Sequence, residues 1–394
     1  MSSATDPSYP SRQMTKLLPE DGDNEDNFGE SIAVSDDGTI AIIGARHDED
    51  PMEGDGLSGA AYVFERGEEG WSQQVKLTAD SARADKFGES VEMSGDGTTA
   101  IIGGFDDRNG GLGSAYVFER DDGEWSQQVK LTPKDTKNDE FFRPRIAVSG
   151  DGTTVIIGVE HDDEPNGERA GSAYVFAHTN GEWRQQAKLA PDDGDPKDAF
   201  GARVALSGDG TTAIIGALGD EDPNGVDHQT GDSGGSAYVF EKIDGEWRQQ
   251  AKLAPEDGDR NDAFGIPTVS SDGTTAIIGP SNTKGGGEAY VFAQTDGGWS
   301  QQTKLTAGDH TSGHNYEALG GPVASNDASI VMIGDPDGHQ TGVAYVFEHA
   351  DDGWNQRVRL APTDPNDGED EDMFGGEIAV SGDGTTAIIG ARND

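Results

Sequence analysis

The residues with the clearest chemical potential are aspartates crowded onto short loops. DGDPKDAFG (193–201) carries Asp193, Asp195 and Asp198, and DGDRNDAFG (257–265) repeats the pattern with Asp257, Asp259 and Asp262. DGDNEDNFG (21–29) and a looser DGEDEDMFG (367–375) follow suit. Three carboxylates so spaced could chelate Ca2+, Mg2+ or Na+ weakly, because these hard cations take oxygen ligands. The plainer reading is an Asx-turn that shapes the chain, and no cofactor is required. A second acidic stretch, GDEDPNGVDHQTGDSGG (219–235), is the longest variable loop. Its Asp220, Glu221, Asp222, Asn224, Asp227, His228 and Asp232 form the candidate ligand-binding set. A third, SGDG (207–210), recurs down the chain.

None of these patterns reads as catalytic. Glycosidases need a singled-out pair of carboxylates, and here acid is abundant everywhere. There is no cysteine, and the eight histidines lack the spacing of a zinc site. The S-x-D-x-G-x-x-W box of sialidase-type propellers is absent, since Asp and Gly are adjacent in SGDG and no Trp follows. SGDGTT recurs too often to be a nucleophile site. The expectation is a protein that is not an enzyme.

The 75 Asp and Glu against 28 Lys and Arg give a formal charge of -47 over 394 residues. An acid excess spread along the whole chain fits high salt, where screening over about 3 Å at about 1 M removes most self-repulsion. It also argues against nucleic acid as a partner, since no basic stripe is present to displace counterions. No apolar run is long enough for a spanning helix, so membrane insertion is not expected. The start, MSSATDPSYPSRQ, lacks an apolar signal segment.

The elements that position the aspartates come from a repeat. Phe28, Phe87, Phe200, Phe264 and Phe374 each precede a glycine, and Phe142-Arg143 and Leu319-Gly320 mark two degenerate copies. Each copy runs on into a turn, S-x-D-G in all but the SNDA of the sixth, and a stretch such as TTAIIGA (211–217). Six continue through AYVF into a W-x-Q-x-x-K/R-L segment opened by Trp71, Trp125, Trp183, Trp247, Trp299 or Trp354. Each unit therefore reads as four short strands punctuated by Gly, Asp, Asn and Pro. SAYVFE is apolar on both faces, as a strand between neighbouring sheets must be. WRQQAKL alternates, as an outer edge strand with charge against stray pairing should. The fold expected is all-β, a seven-bladed β-propeller in one domain over 1–394. Its four-stranded blades would span approximately 28–77, 87–131, 142–189, 200–253, 264–305, 319–360, and 374–394 completed by 12–18.

The combination FGxSVAxSGDG, IIGA, GSAYVF and WxQQxKL resembles the FG-GAP repeat family. Better-known relatives form the propeller at the head of integrin α chains; others occur in bacterial and archaeal surface proteins and in some fungal lectins. The resemblance implies a propeller and leaves the ligand open. Integrin-like members carry a D-x-D/N-x-D-G calcium motif in the strand 1–2 loop. Here SGDG, SDDG (35–38), SSDG (270–273) and SNDA (325–328) are shorter, with one or two carboxylates, so a structural turn is expected.

RQMTKL (12–17) aligns with RQQAKL (184–189), so the N-terminus can supply the outer strand of the seventh blade. That blade lacks an AYVF strand, which residues 1–9 or a partner chain would have to supply. Turns between strands 1–2 and 3–4 fall on one face, and the long variable loops on the other. The functional expectation is a non-enzymatic recognition or adhesion propeller from a halophile, binding a protein or surface partner through those loops. Alternatives are a structural spike or attachment protein of a halophilic virus or cell surface, and a lectin-like propeller with a glycan ligand. Cell-surface, extracellular or virion placement is favoured over cytoplasm.

Overall fold

The computed structural model describes residues 15–22, 26–48, 58–80, 86–105, 113–134, 143–220, 234–257, 263–281, 287–308, 321–336, 342–362 and 373–391. Six antiparallel four-stranded sheets occupy 28–77, 90–131, 145–189, 200–253, 264–306 and 323–360, each with its strands in sequence order. In the first these are β1 (Phe28–Val34), β2 (Ile40–Ala45), β3 (Ala60–Gly67) and β4 (Gly70–Leu77). The described residues form a β-propeller, and no helix is long and apolar enough to cross a membrane.

Side-chain pattern explains the layering. β2 is buried along its whole length, and so is its counterpart Thr212–Ala217 in blade 4. Such strands face a neighbouring sheet on both sides, so the sequence is continuously apolar. Burying each Ile or Val contributes about 1.5–3 kcal/mol. Ile156, Ala173 and Val175 of blade 3 share a cluster with Ile215, Tyr238 and Phe240 of blade 4, so the core lies between the blades.

Seven four-stranded blades are expected, the seventh lacking its third strand unless residues 1–9 or a partner chain supply it; the described residues form six, which corrects that number. The seventh unit contributes a two-stranded sheet, Ile378–Val380 with Ala387–Ile389. Of the proposed outer strand 12–18, residues 12–14 lie outside the described residues, as do 1–9, and 15–18 are not strand. Leu17 nevertheless packs on the blade 1 cluster that also takes in Ala379 and Ile388 of the seventh unit. Three residues on, the Glu20 amide donates to Gln73 Oε1 at 2.9 Å. Leu189 and Asp192 stand in the same relation to the next blade, where the Asp192 amide donates to Gln249 at 2.9 Å.

Several first strands also start later than expected. The second begins at Ser90, and Phe87 makes only an isolated parallel bridge to Gly59 of the preceding blade. The third begins at Arg145 and the sixth at Val323. The FG motif is thus a seam between blades more than a strand. Gly171 shows why: a Cβ there would lie 2.0 Å from the Phe200 carbonyl oxygen, and its φ is +84°.

The S-x-D-G segments are hairpin turns whose carboxylates are already engaged. Asp209 Oδ1 accepts from Ser207 Oγ (2.6 Å), the Thr211 amide (2.9 Å) and Thr211 Oγ1 (2.8 Å). Asp37, Asp96, Asp151, Asp272, Asp327 and Asp383 likewise accept from the serine two places before them. The turns are also linked to each other. Asp36, Gly95 and Gly150 donate their amides to the Gly95, Gly150 and Gly208 carbonyls at 2.8, 2.8 and 2.9 Å. Asp209, Ser271 and Asn326 donate to Ser271, Asn326 and Gly382 at 3.1, 2.7 and 2.9 Å. Gly382 then abuts Asp36, whose Oδ1 lies 2.7 Å from where a Cβ would stand.

Partial burial pushes the Asp209 carboxyl up, but donation from Ser207 and Thr211 outweighs it and holds it below the usual aspartate value. A depressed folded value means the stabilisation is present above the unfolded value and lost as pH falls through the folded one. Asp209→Ala is expected to cost about 1 kcal/mol at pH 7. In denaturant titrations the gap between wild type and variant should close below about pH 4. A gap that persists in acid would rule out the charged acceptor as its source.

Candidate functional site

The face opposite the turns carries the long loops, and their bases share one construction. Asp162, Asp220 and Asp48 open three of them. Gly171, Gly235 and Gly59 close the same loops by donating their amides to those aspartates' carbonyls at 2.8, 3.0 and 3.0 Å. What lies between differs in length and sequence from blade to blade.

Beneath each base sits a buried polar cluster. Asp162 Oδ2 accepts from Ser172 Oγ (2.5 Å) and Tyr174 OH (2.6 Å) and pairs with Lys188 Nζ (2.9 Å), its side chain fully buried. Lys188 also lies over the Tyr174 ring, 5.3 Å from its centroid. Burial raises the Asp162 carboxyl, yet donation from Ser172, Tyr174 and Lys188 brings it below its ordinary value. Asp220 repeats the arrangement, with Tyr238 OH at 2.6 Å and Lys252 Nζ at 2.8 Å. Asp48 takes Tyr62 OH and Lys76, the latter at 2.8 Å. In blade 5 Glu288 stands in, 3.2 Å from Lys304. Burial and the adjacent Asp220 carboxylate hold Tyr238 un-ionised, its hydroxyl far above the usual value.

These clusters depend on a local irregularity. The pairing of Ser172–Thr179 with Glu182–Leu189 shifts register between Val175 and Phe176, opposite Ala187 and Gln185. Gln186 is the extra residue of this bulge. Lys188 is then directly opposite Tyr174, on the same face of the sheet. Strict alternation puts this lysine on the solvent side as an edge charge; the structure corrects that. Its side chain is 21% exposed.

The candidate metal residues separate. Asp193 Oδ2 pairs with Lys252 at 3.1 Å, and Asp257 with Lys304 at 3.5 Å. Asp198 is buried and accepts the Asp195 amide at 2.7 Å, its side chain reaching back three residues and not forward as in an Asx-turn. Asp259 and Asp262 lie outside the described residues. Among the described residues no three His, Asp or Glu side chains come together as metal ligands. Of the candidate ligand-binding set, Asp220 belongs to the buried cluster. Glu221, Asp222, Asn224, Asp227, His228 and Asp232 lie outside the described residues.

The family model for the FG-GAP repeat matches residues 11–64, 71–118, 125–176, 183–240, 247–292 and 354–394. The chain belongs to the FG-GAP repeat family. This FG-GAP propeller matches no curated protein sequence. Among solved structures it is similar to a putative 6-phosphogluconolactonase from Bacteroides fragilis, at 13% identity and TM-score 0.54, covering 85% of this chain and 84% of that one. The periplasmic gluconolactonase PpgL of Pseudomonas aeruginosa aligns at 16% identity and TM-score 0.51, with 84% of each chain covered. The Cps50 (Swd1) β-propeller domain of Myceliophteria thermophila gives 10%, 0.57, and 92% and 96%. At these identities the likeness shows the fold alone.

The paired lysine and buried aspartate predict a sharp contrast. Asp162→Asn leaves Lys188 facing a neutral group and should cost about 3 kcal/mol in denaturant unfolding. Asp193→Asn, at a half-exposed carboxylate, should change stability by less than about 1 kcal/mol. Equal effects would refute the buried cluster as the anchor of the loops.

Proposed function

We propose that this FG-GAP propeller is a non-enzymatic recognition platform that binds a protein or surface partner through its variable loop face. The observation that carries this reading is the shared loop base: an Asp–Gly backbone clamp over a buried Asp–Tyr–Lys cluster, with different sequence inserted between. A rigid base under variable segments is how scaffolds present recognition loops. The uniform ring of turns on the other face offers no such variety.

The ring has seven units in this reading, with the segment around Leu17 packed, without forming a strand, at the outer edge of the seventh. The register shared by Leu17–Glu20 and Leu189–Asp192 supports it. The open position in that unit would accept residues 1–9 or a strand from a partner chain. The charge of -47 supports a halophilic setting, in which a spike or attachment role at a virus or cell surface is the same platform used in an assembly. A glycan ligand would call for exposed aromatic platforms. In the sequence nearly all aromatics fall inside the strand segments, which favours a protein partner.

Replacing residues 221–233 with the short NTKGG (282–286), keeping the Asp220 and Gly235 clamp, tests the reading. A screen against glycans and surface proteins in multimolar KCl, with and without chelator, should show binding by the parent chain. The replacement should abolish that binding while the unfolding midpoint stays put. Retained binding would falsify the assignment to this loop. Loss in chelator alone would reassign it to Ca2+ or Mg2+ held by the acidic loops.

A further inference from the structure

Six of the interfaces between neighbouring units are closed in one way: a leucine at the outer edge of one unit packs with the tyrosine and phenylalanine of the next unit's third strand. Leu189 shares a cluster with Tyr238 and Phe240, Leu253 with Tyr290 and Phe292, and Leu17 with Tyr62 and Phe64. The same grouping joins blades 1 and 2, 2 and 3, and 5 and 6. Under those rings Leu77, Leu131, Leu189, Leu253 and Leu305 are only 3–4% exposed. The interface of blade 6 with the seventh unit is the exception. Its cluster joins Met332, Ala344 and Val346 to Ile378 and Ile389, with no aromatic ring among the described residues. Leu360, the outer leucine of blade 6, keeps intermediate exposure there.

The strand that borders this gap is open as well. Ala387 is exposed, and Ile388 and Ile389 keep intermediate exposure. The counterparts of Ala387 in the six blades, Ala41, Ala100, Val155, Ala213, Ala276 and Val331, are 0% exposed. Ile389 packs towards blade 6 and Ile388 towards blade 1, the parity of a complete blade. The Ser381 amide donates to the Thr386 carbonyl and the Gly390 amide to the Glu377 carbonyl, both at 2.8 Å. Thr386, Ile388 and Gly390 thus address the first strand, and alternation turns the amides and carbonyls of Ala387 and Ile389 to the far edge. No described strand pairs with that edge. Unpaired backbone along an edge is a template for an added strand.

We propose that the seventh unit takes an extended segment of a partner protein as its third strand, antiparallel to Ala387–Ile389, with alternate aromatic side chains facing blade 6. This rests on the seven-unit reading of the ring. The interfaces already formed specify what covers the site. In blade 4, Ile215 stands opposite Tyr238, Ile214 opposite Val239 and Ala213 opposite Phe240. Carried to the seventh unit, the two aromatic residues fall opposite Ile389 and Ala387 and face Leu360. The branched residue between them falls opposite Ile388 and faces blade 1. Main-chain hydrogen bonds supply the affinity of such an addition, and the alternate pockets supply its specificity. A second copy of the chain has no strand of this kind to give, since the tyrosine of each of its six is at most 2% exposed. Residues 1–9, MSSATDPSY, hold a single aromatic and do not carry the pattern.

Calorimetric titration of the full chain with the synthetic peptide GSAYVFEK, the sequence of 235–242, tests the site. One peptide is expected per chain, and it should raise the unfolding midpoint. The parity-swapped GSYAFVEK should not bind, and methylating the Tyr and Phe amides of the first peptide should abolish its binding. Leu360→Ala should weaken binding about tenfold or more, whereas replacing loop residues 221–233 should leave it unchanged. The peptide result is therefore independent of the loop-face reading. Ring closure is read separately. The chain has no cysteine, and the Glu20 amide lies 2.9 Å from Gln73 Oε1, so a short bismaleimide should join Glu20→Cys to Gln73→Cys. No cross-link would refute the seven-unit closure itself. A cross-linked chain that ignores the peptide, equal binding of both peptides, or a dimer of the chain that excludes the peptide would each overturn the proposal. Binding only after removal of residues 1–9 would assign the place to the chain's own start and overturn it too.

Discussion

Six inner turns, from Asp36 to Asn326, each donate a backbone amide to the next turn, and the remaining architecture depends on that link. The donation is available because the turn aspartate already satisfies the serine, threonine and amide donors within its own hairpin, as Asp209 does. With its internal polar groups matched, the turn can approach its neighbour closely. At Gly208 the approach is close, and a Cβ there would lie 2.1 Å from Ser271 Oγ, whereas Asp36, Ser271 and Asn326 fill the same place in other turns. What resembles a calcium loop in the sequence is a device for spacing blades about an axis.

At the other end of the strands the same problem is met with charge. Carrying a variable loop requires a base whose geometry does not follow the loop's sequence. The Asp–Tyr–Lys clusters supply it by burying a carboxylate with two or three strong donors, so that it is fixed in place. A bulge at one residue makes this possible by bringing the lysine opposite the tyrosine. The two faces thus divide the work. One is uniform and bonded unit to unit, the other rigid at its foundations and free above them.

Much of this was legible in the sequence, because strand period and turn chemistry are local. The Phe-Gly seam, the turns and the doubly buried IIGA and AYVF strands could be read from single units. The missing third strand of the seventh unit could be read the same way. The clusters were not, since Asp193, Asp220, Tyr238 and Lys252 come from four separate segments. Parity across WRQQAKL also misleads, because the bulge is invisible to a period of two.

The seam between the first and seventh units has a kinetic side. Elsewhere, contacts between neighbouring blades join residues a single repeat apart, as when the Asp192 amide meets Gln249 across 57 positions. Arg66 Nη1 reaches Thr386 Oγ1 at 3.1 Å across 320. Loop-closure entropy rises with the logarithm of that separation, so the largest single ordering cost falls on one event. Until it occurs the molecule is a row of stacked sheets with two open edges.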